Sequence, residues 1–191
     1  MELIYELDLP SIDEVFIDSF QGFDDDDLVT NYQFRRDIQN VLKHEWCKFR
    51  NIPWNFLLYF KKDNSPGDIH TDIEKEYLKP ELIKKMHPWG INWVWGGDGL
   101  FEYWKFEDVE FTQMATGSLN GGQGKVQMFH SDKPPFKTYP MYKDKVYLVN
   151  GAFPHRATGF QGRKLLTLRS HALSFIPWEK TVISFHDLIK N

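Results

Sequence analysis

From residue 51 onward the chain is cut into short apolar and aromatic runs: NFLLYF, INWVW, LFEYWKF, VQMFH, KVYLVN and KLLTLRSHAL. Turn-rich pieces such as DNSPGD, WGGDG and NGGQG lie between them. Runs of this length, bounded by Gly, Pro, Asn and Asp, read as strands. No regular alternation of helix and strand accompanies them, so a parallel sheet has no crossovers to build on. What remains is six to eight strands in a sandwich, a jelly roll or a small barrel. One helical interruption is expected at KPELIKKM (79–86), where Pro80 suits a first helical turn.

The first fifty residues have a different character. In LVTNYQFRRDIQNVLKHEWCKF (28–49), Val29, Tyr32, Ile38, Val41, Leu42 and Trp46 recur at roughly helical spacing. The DDDD run at 24–27 precedes it, where acids meet the positive end of the helix macrodipole, so it reads as a helix start and not as a metal site. The expected organisation is one domain over 1–191, with residues 1–50 as a helical buttress and 51–191 as a β core.

The bulk numbers narrow the partners. A formal charge of -4 and the lack of any clustered basic tract argue against nucleic acid. One cysteine, Cys47, gives no internal disulfide, which suits a reducing compartment. The opening MELIYELDLPSIDEVF does not look like a secretory signal, and no run of about eighteen apolar residues occurs. A cytoplasmic protein without a membrane partner is expected.

Two H-x-D triplets stand out, His70-Thr71-Asp72 and His130-Ser131-Asp132. On a strand, residues i and i+2 share a face, so either pair can offer an imidazole and a carboxylate to one ion. A mononuclear iron site of the oxygenase kind needs a second histidine and leaves one side of the metal open. His155, in VYLVNGAFPHRATGFQGRKLLTLRS between two turns, is the candidate. It follows His70 by 85 residues, room for several strands that bring the two onto neighbouring strands of one sheet. It follows His130 by only 25, half of them the Pro-rich SDKPPFKTYPMYKD, read as a loop. The first triplet is therefore favoured, and the second is expected to be a strand end running into a loop away from the metal. Arg163 and Arg169 lie six apart on the last strand, an even interval that puts both on one side. An arginine fork suits the carboxylate of a diacid. Asn92, on INWVW, is placed to hydrogen-bond such a group or to satisfy backbone.

His70-x-Asp72, then His155, then GRKLLTLRS resembles the Fe(II)/2-oxoglutarate-dependent dioxygenase superfamily, in particular its prolyl hydroxylase-like and aspartyl/asparaginyl hydroxylase-like members. INWVWGGDGLFEYW and NGAFPHR are also similar to segments of these proteins, and the likeness covers roughly residues 55–175. The resemblance implies a mainly β fold with N-terminal helices, a double-stranded β-helix (the jelly roll of cupins). It implies Fe(II) on His70, Asp72 and His155. It implies 2-oxoglutarate and dioxygen as co-substrates, with Arg163 or Arg169 on the far carboxylate of 2-oxoglutarate and Asn92 nearby. The implied reaction is hydroxylation of a C–H bond of a peptidyl or small-molecule substrate, with release of succinate and carbon dioxide. A cupin-like metalloenzyme that does not use 2-oxoglutarate, or a non-catalytic β-sandwich binding module, also fits the residues.

Overall fold

A computed structural model of the chain describes residues 1–9, 56–61, 67–72, 85–117, 124–159, 163–169 and 173–190. The helix expected over 28–49 lies outside the described residues. So does all of the one expected at 79–86 but its last two residues, which are not helical.

The described residues are mainly β: eleven strands, β1 (Ile4–Leu7), β2 (Phe56–Lys61), β3 (Ile69–Thr71), β4 (Trp89–Trp95), β5 (Gly99–Tyr103), β6 (Glu110–Gly117), β7 (Gly124–His130), β8 (Lys137–Met141), β9 (Lys145–Asn150), β10 (His155–Gly159) and β11 (Lys164–Arg169). A 3-10 turn at Phe106–Asp108 and a helix, α1 (Trp178–Ser184), complete them. All pairings are antiparallel and form two sheets. One has the order β1-β9-β4-β11-β2, the other β6-β7-β3-β10-β5-β8.

The pairings are nested. β2 lies beside β11, β3 beside β10, β4 beside β9 and β5 beside β8. Successive members of that series alternate between the sheets until the β5/β8 turn of the series, where the β6–β7 hairpin is inserted. The hairpin pairs through β7 with β3, so it widens the sheet on the side of His70.

Side-chain alternation explains why two sheets meet. Along β5, Gly99, Phe101 and Tyr103 are buried while Leu100 and Glu102 are half-buried, the period-two pattern of a strand with one face inward. β9, between β1 and β4, is buried from Val146 to Asn150, as expected of a strand covered on both faces. The inner faces join in one cluster: Val94, Tyr147, Val149 and Leu165 from the first sheet against Phe101, Tyr103 and Met141 from the second, with Leu3 and Ile4. On the other side of the first sheet, Trp89 packs edge-on against Phe185, just past α1.

Four expectations change. Among the described residues there are eleven strands where six to eight were expected, because short segments such as β3 and β10 carry too few residues to show a pattern. The N-terminal residues expected to be helical begin with a strand, since Ile4–Leu7 pair with Val146–Val149 of β9. The Pro-rich stretch read as a loop contains β8. That strand ends its sheet, and an edge strand tolerates Pro140 because a missing N–H costs no ladder bond on the solvent side. His155 does not sit between turns, because it opens the five-residue strand β10. None of the described helices is long and apolar enough to cross a membrane.

Leu148, 0 % exposed at the centre of β9, tests the packing. Leu148→Ala should lower unfolding free energy by about 2–5 kcal/mol in denaturant titration. A loss well below that range would mean this strand is not buried on both faces.

Candidate metal centre

β10 is held on one side by five register pairs with β5, from His155 opposite Tyr103 to Gly159 opposite Gly99. On its other side His155 stands opposite His70 of β3. Two flanking backbone bonds extend this contact, Gly67 N–H to Ala157 O at 3.1 Å and Asp72 N–H to Gly151 O at 2.9 Å. Paired residues of adjacent strands share a face, so the two imidazoles lie side by side with ring centres 4.5 Å apart. Asp72 follows β3 by one residue and brings its carboxylate between them. His70, Asp72 and His155 each offer a donor atom, all within 4.8 Å of one another.

The histidines are prepared alike. Nδ1 of His70 lies 2.9 Å from Asp68 O, and Nδ1 of His155 lies 2.8 Å from Phe153 O. A carbonyl only accepts, so each Nδ1 carries a proton, which makes Nε2 the atom each ring can offer as a ligand. Those Nε2 atoms face Asp72, at 3.8 Å from Oδ1 for His70 and 3.7 Å from Oδ2 for His155. That is too long for a hydrogen bond, but within the span of two donors each about 2.1 Å from one ion. Phe101 stacks on His155 at 4.9 Å and 21°, fixing the ring from the other side.

Electrostatics keep the set in a ligand-competent form. Burial depresses His155 to about 4, with the neighbouring His70 adding to the effect and Asp72 opposing it, so His155 is neutral near pH 7. Burial pushes the Asp72 carboxyl up, but Arg169 and the two histidines outweigh it and hold it below its usual value. Arg169 Nη1 stands 2.7 Å from Asp72 Oδ1 in an ion pair.

Arg163 is placed differently from its neighbour. It is 1 % exposed, and its Nε and Nη2 have no hydrogen-bond partner among the described residues. Burial lowers its guanidinium to about 10, and no acid among the described residues offsets the cost. The side chain crosses from the first sheet to lie over Gly99 of the second, where a Cβ would stand 2.5 Å from Nε and 2.7 Å from Cδ. Any larger residue at 99 would close the space that admits the arginine. The even spacing of Arg163 and Arg169 does put both inside the sandwich.

Asn92 is buried on β4, directly opposite Thr167 of β11. Asn92 Oδ1 and Thr167 Oγ1 both lack partners among the described residues. Thr167 was not singled out from the sequence, although it lies four residues past Arg163 and two before Arg169, on the same face of β11. The second triplet stays outside: His130 and Asp132 form an exposed pair at 3.0 Å, with side chains 64 % and 95 % exposed.

No family model and no curated protein matches this sequence. Function therefore rests on the site itself. His70, Asp72 and His155 could together hold a divalent ion, and Arg163 is a buried guanidinium whose Nε and Nη2 have no partner among the described residues.

The His155 environment gives a pH signature. Its folded pKa of about 4 lies below the ordinary 6.5, so between these values the unfolded chain binds a proton that the folded protein does not. Stability is thus full above 6.5 and falls as pH drops toward 4. In metal-free protein the melting temperature should fall across that window, and His155→Gln should flatten the fall. Equal slopes for the two proteins would show that His155 is not a buried neutral base.

Proposed function

We propose that the protein is an Fe(II)- and 2-oxoglutarate-dependent dioxygenase that hydroxylates a C–H bond of a peptidyl or small-molecule substrate. One observation carries this beyond a generic metal site: Arg163, buried and with no counter-ion among the described residues, in the same sandwich as the His70–Asp72–His155 cluster. A buried charge left alone costs several kcal/mol, so such an arginine marks a place for an anion. A diacid bound to the metal at one end would offer its far carboxylate as that anion. The nested strand pairings support the same reading, because a jelly roll is one long antiparallel hairpin rolled into two sheets.

In this role His70 and His155 hold the metal through Nε2 and Asp72 through one carboxylate oxygen. Arg169 takes the charge of the other oxygen and keeps the carboxylate from rotating away. Arg163 anchors the far carboxylate of 2-oxoglutarate, and Asn92 and Thr167 offer polar contacts beside it. When bound, the iron supplies activation of dioxygen, coupled to conversion of 2-oxoglutarate to succinate and carbon dioxide. The chain needs no general base of its own. Phe101 and Tyr103 wall the site from water on the inner side of His155, where Tyr103 is fixed by donating to Asn150 O at 2.7 Å.

Anaerobic addition of Fe(II) and 2-oxoglutarate should produce a visible metal-to-ligand charge-transfer band. The band should vanish in His70→Ala. Arg163→Ala should keep Fe(II) binding but weaken 2-oxoglutarate by at least about 100-fold, roughly 3 kcal/mol for a lost buried partner. No band in the iron-loaded wild type would sink the proposal. An unchanged 2-oxoglutarate affinity in Arg163→Ala would remove Arg163 as the anchor of the far carboxylate and leave Arg169 in that role.

A further inference from the structure

Gly151 lies in the turn between β9 and β10 and takes no part in the donor set, yet its Cα leaves no room for a side chain beside Asp72. A Cβ built on Gly151 would meet three atoms first, all from the Asp72 side chain: Cβ and Cγ at 2.9 Å, and Oδ2 closer still. The backbone of Gly151 accepts the Asp72 N–H at 2.9 Å, so main chain and missing side chain bracket the same residue. Gly151 cannot retreat to make room. Its N–H donates to Pro88 O at 2.8 Å, and the preceding Asn150 is tied by its N–H to Leu3 O at 3.0 Å. The Asn150 side-chain oxygen accepts from Ala152 N–H at 2.9 Å, and its carbonyl accepts from Tyr103. On the opposite flank of the carboxylate stands Arg169, 2.7 Å from Oδ1.

We infer that Gly151 is a positioning residue for the metal centre: its bare Cα forms a rigid wall that, with Arg169, fixes the Asp72 carboxylate between the two Nε2 atoms. The metal half of this inference rests on the proposed metal centre, while the steric half concerns Asp72 alone. An added methyl on a pinned backbone forces the Asp72 side chain to turn. The carboxylate oxygens then leave the gap between the imidazoles, although the imidazoles themselves stay in place.

The test uses Co(II) alone as the probe, titrated into the purified full chain and followed by visible absorption, beside the melting temperature of the metal-free protein. Gly151→Ala should bind Co(II) about 10- to 100-fold more weakly than the wild type, the range seen when a group orienting a ligand is lost. In an Asp72→Gly background, where the colliding atoms are gone, adding Gly151→Ala should leave the melting temperature unchanged, while in the wild-type background it should lower it. That non-additivity is what a general backbone role for Gly151 would not give. Should Gly151→Ala alone fail to fold, the pair of Asp72→Gly proteins still decides. Rescue of folding supports the steric wall, and a double variant that also fails overturns it. Equal Co(II) affinity in wild type and Gly151→Ala overturns the positioning role. A wild type that binds no Co(II) sinks the metal centre itself, and the melting-temperature cycle then still reads whether Gly151 places Asp72.

Discussion

The register of β10 between β5 and β3 is the constraint on which the rest of the site depends. A strand has a period of two, so a slip of one residue would turn His155 outward and bring Arg156 into the core. Both faces of β10 resist that slip. Inside, His155 is stacked on Phe101 and Ala157 packs against the core cluster. Outside, Arg156 reaches Glu102 at 2.6 Å and lies over the Trp104 ring at 5.0 Å. Five pairs with β5 fix the strand, and β3 then needs only the single pair at His70 to complete the imidazole couple.

Charge in the interior is unevenly settled. Asp72 and Arg169 neutralise one another at 2.7 Å, and the depressed pKa of His155 keeps that imidazole from adding a positive charge. Arg163 has no counter-charge among the described residues. A stability argument alone would replace such a cation with an apolar residue of similar size, because an unpaired buried charge is costly. On the inner face of the same sheet, the Asn92 and Thr167 side-chain oxygens also lack partners among the described residues, an arrangement that the proposed binding of an anion would answer.

Much of this was readable in the residues. The apolar runs gave β2, β4, β5, β7, β9 and β11, and the even spacing on the last strand put both arginines inside. The 85-residue interval chose His70 over His130 as the neighbour of His155. Other parts were hidden for physical reasons. β8 carries the prolines of a loop and survives because it is an edge strand. β10 is short and follows a Gly-Pro turn, so it read as a continuation of that turn. α1 follows Pro177 and has only seven residues, too few for a helical period to register. Gly99 and Gly151 were passed over because they act through atoms they lack, and the closeness of Arg163 and Asp72 to them exists only once the sheets have met.

Exposure within the donor set is unequal, and that gives the site a direction. The side chains of Asp72 and His155 are 5 % and 3 % exposed, while that of His70 is 27 % exposed. Arg163, on the inner side, is closed off almost entirely. The open flank is therefore the one where β7 pairs with β3 and where Met128, half-buried, stands opposite His70. For the proposed oxygenase this arrangement separates two tasks. In it the co-substrate would be held on the arginine side, which is sealed, and the substrate would approach past His70 and Met128, where the inserted β6–β7 hairpin has widened the sheet. An insertion at this point can change what is bound without disturbing the register that builds the metal centre.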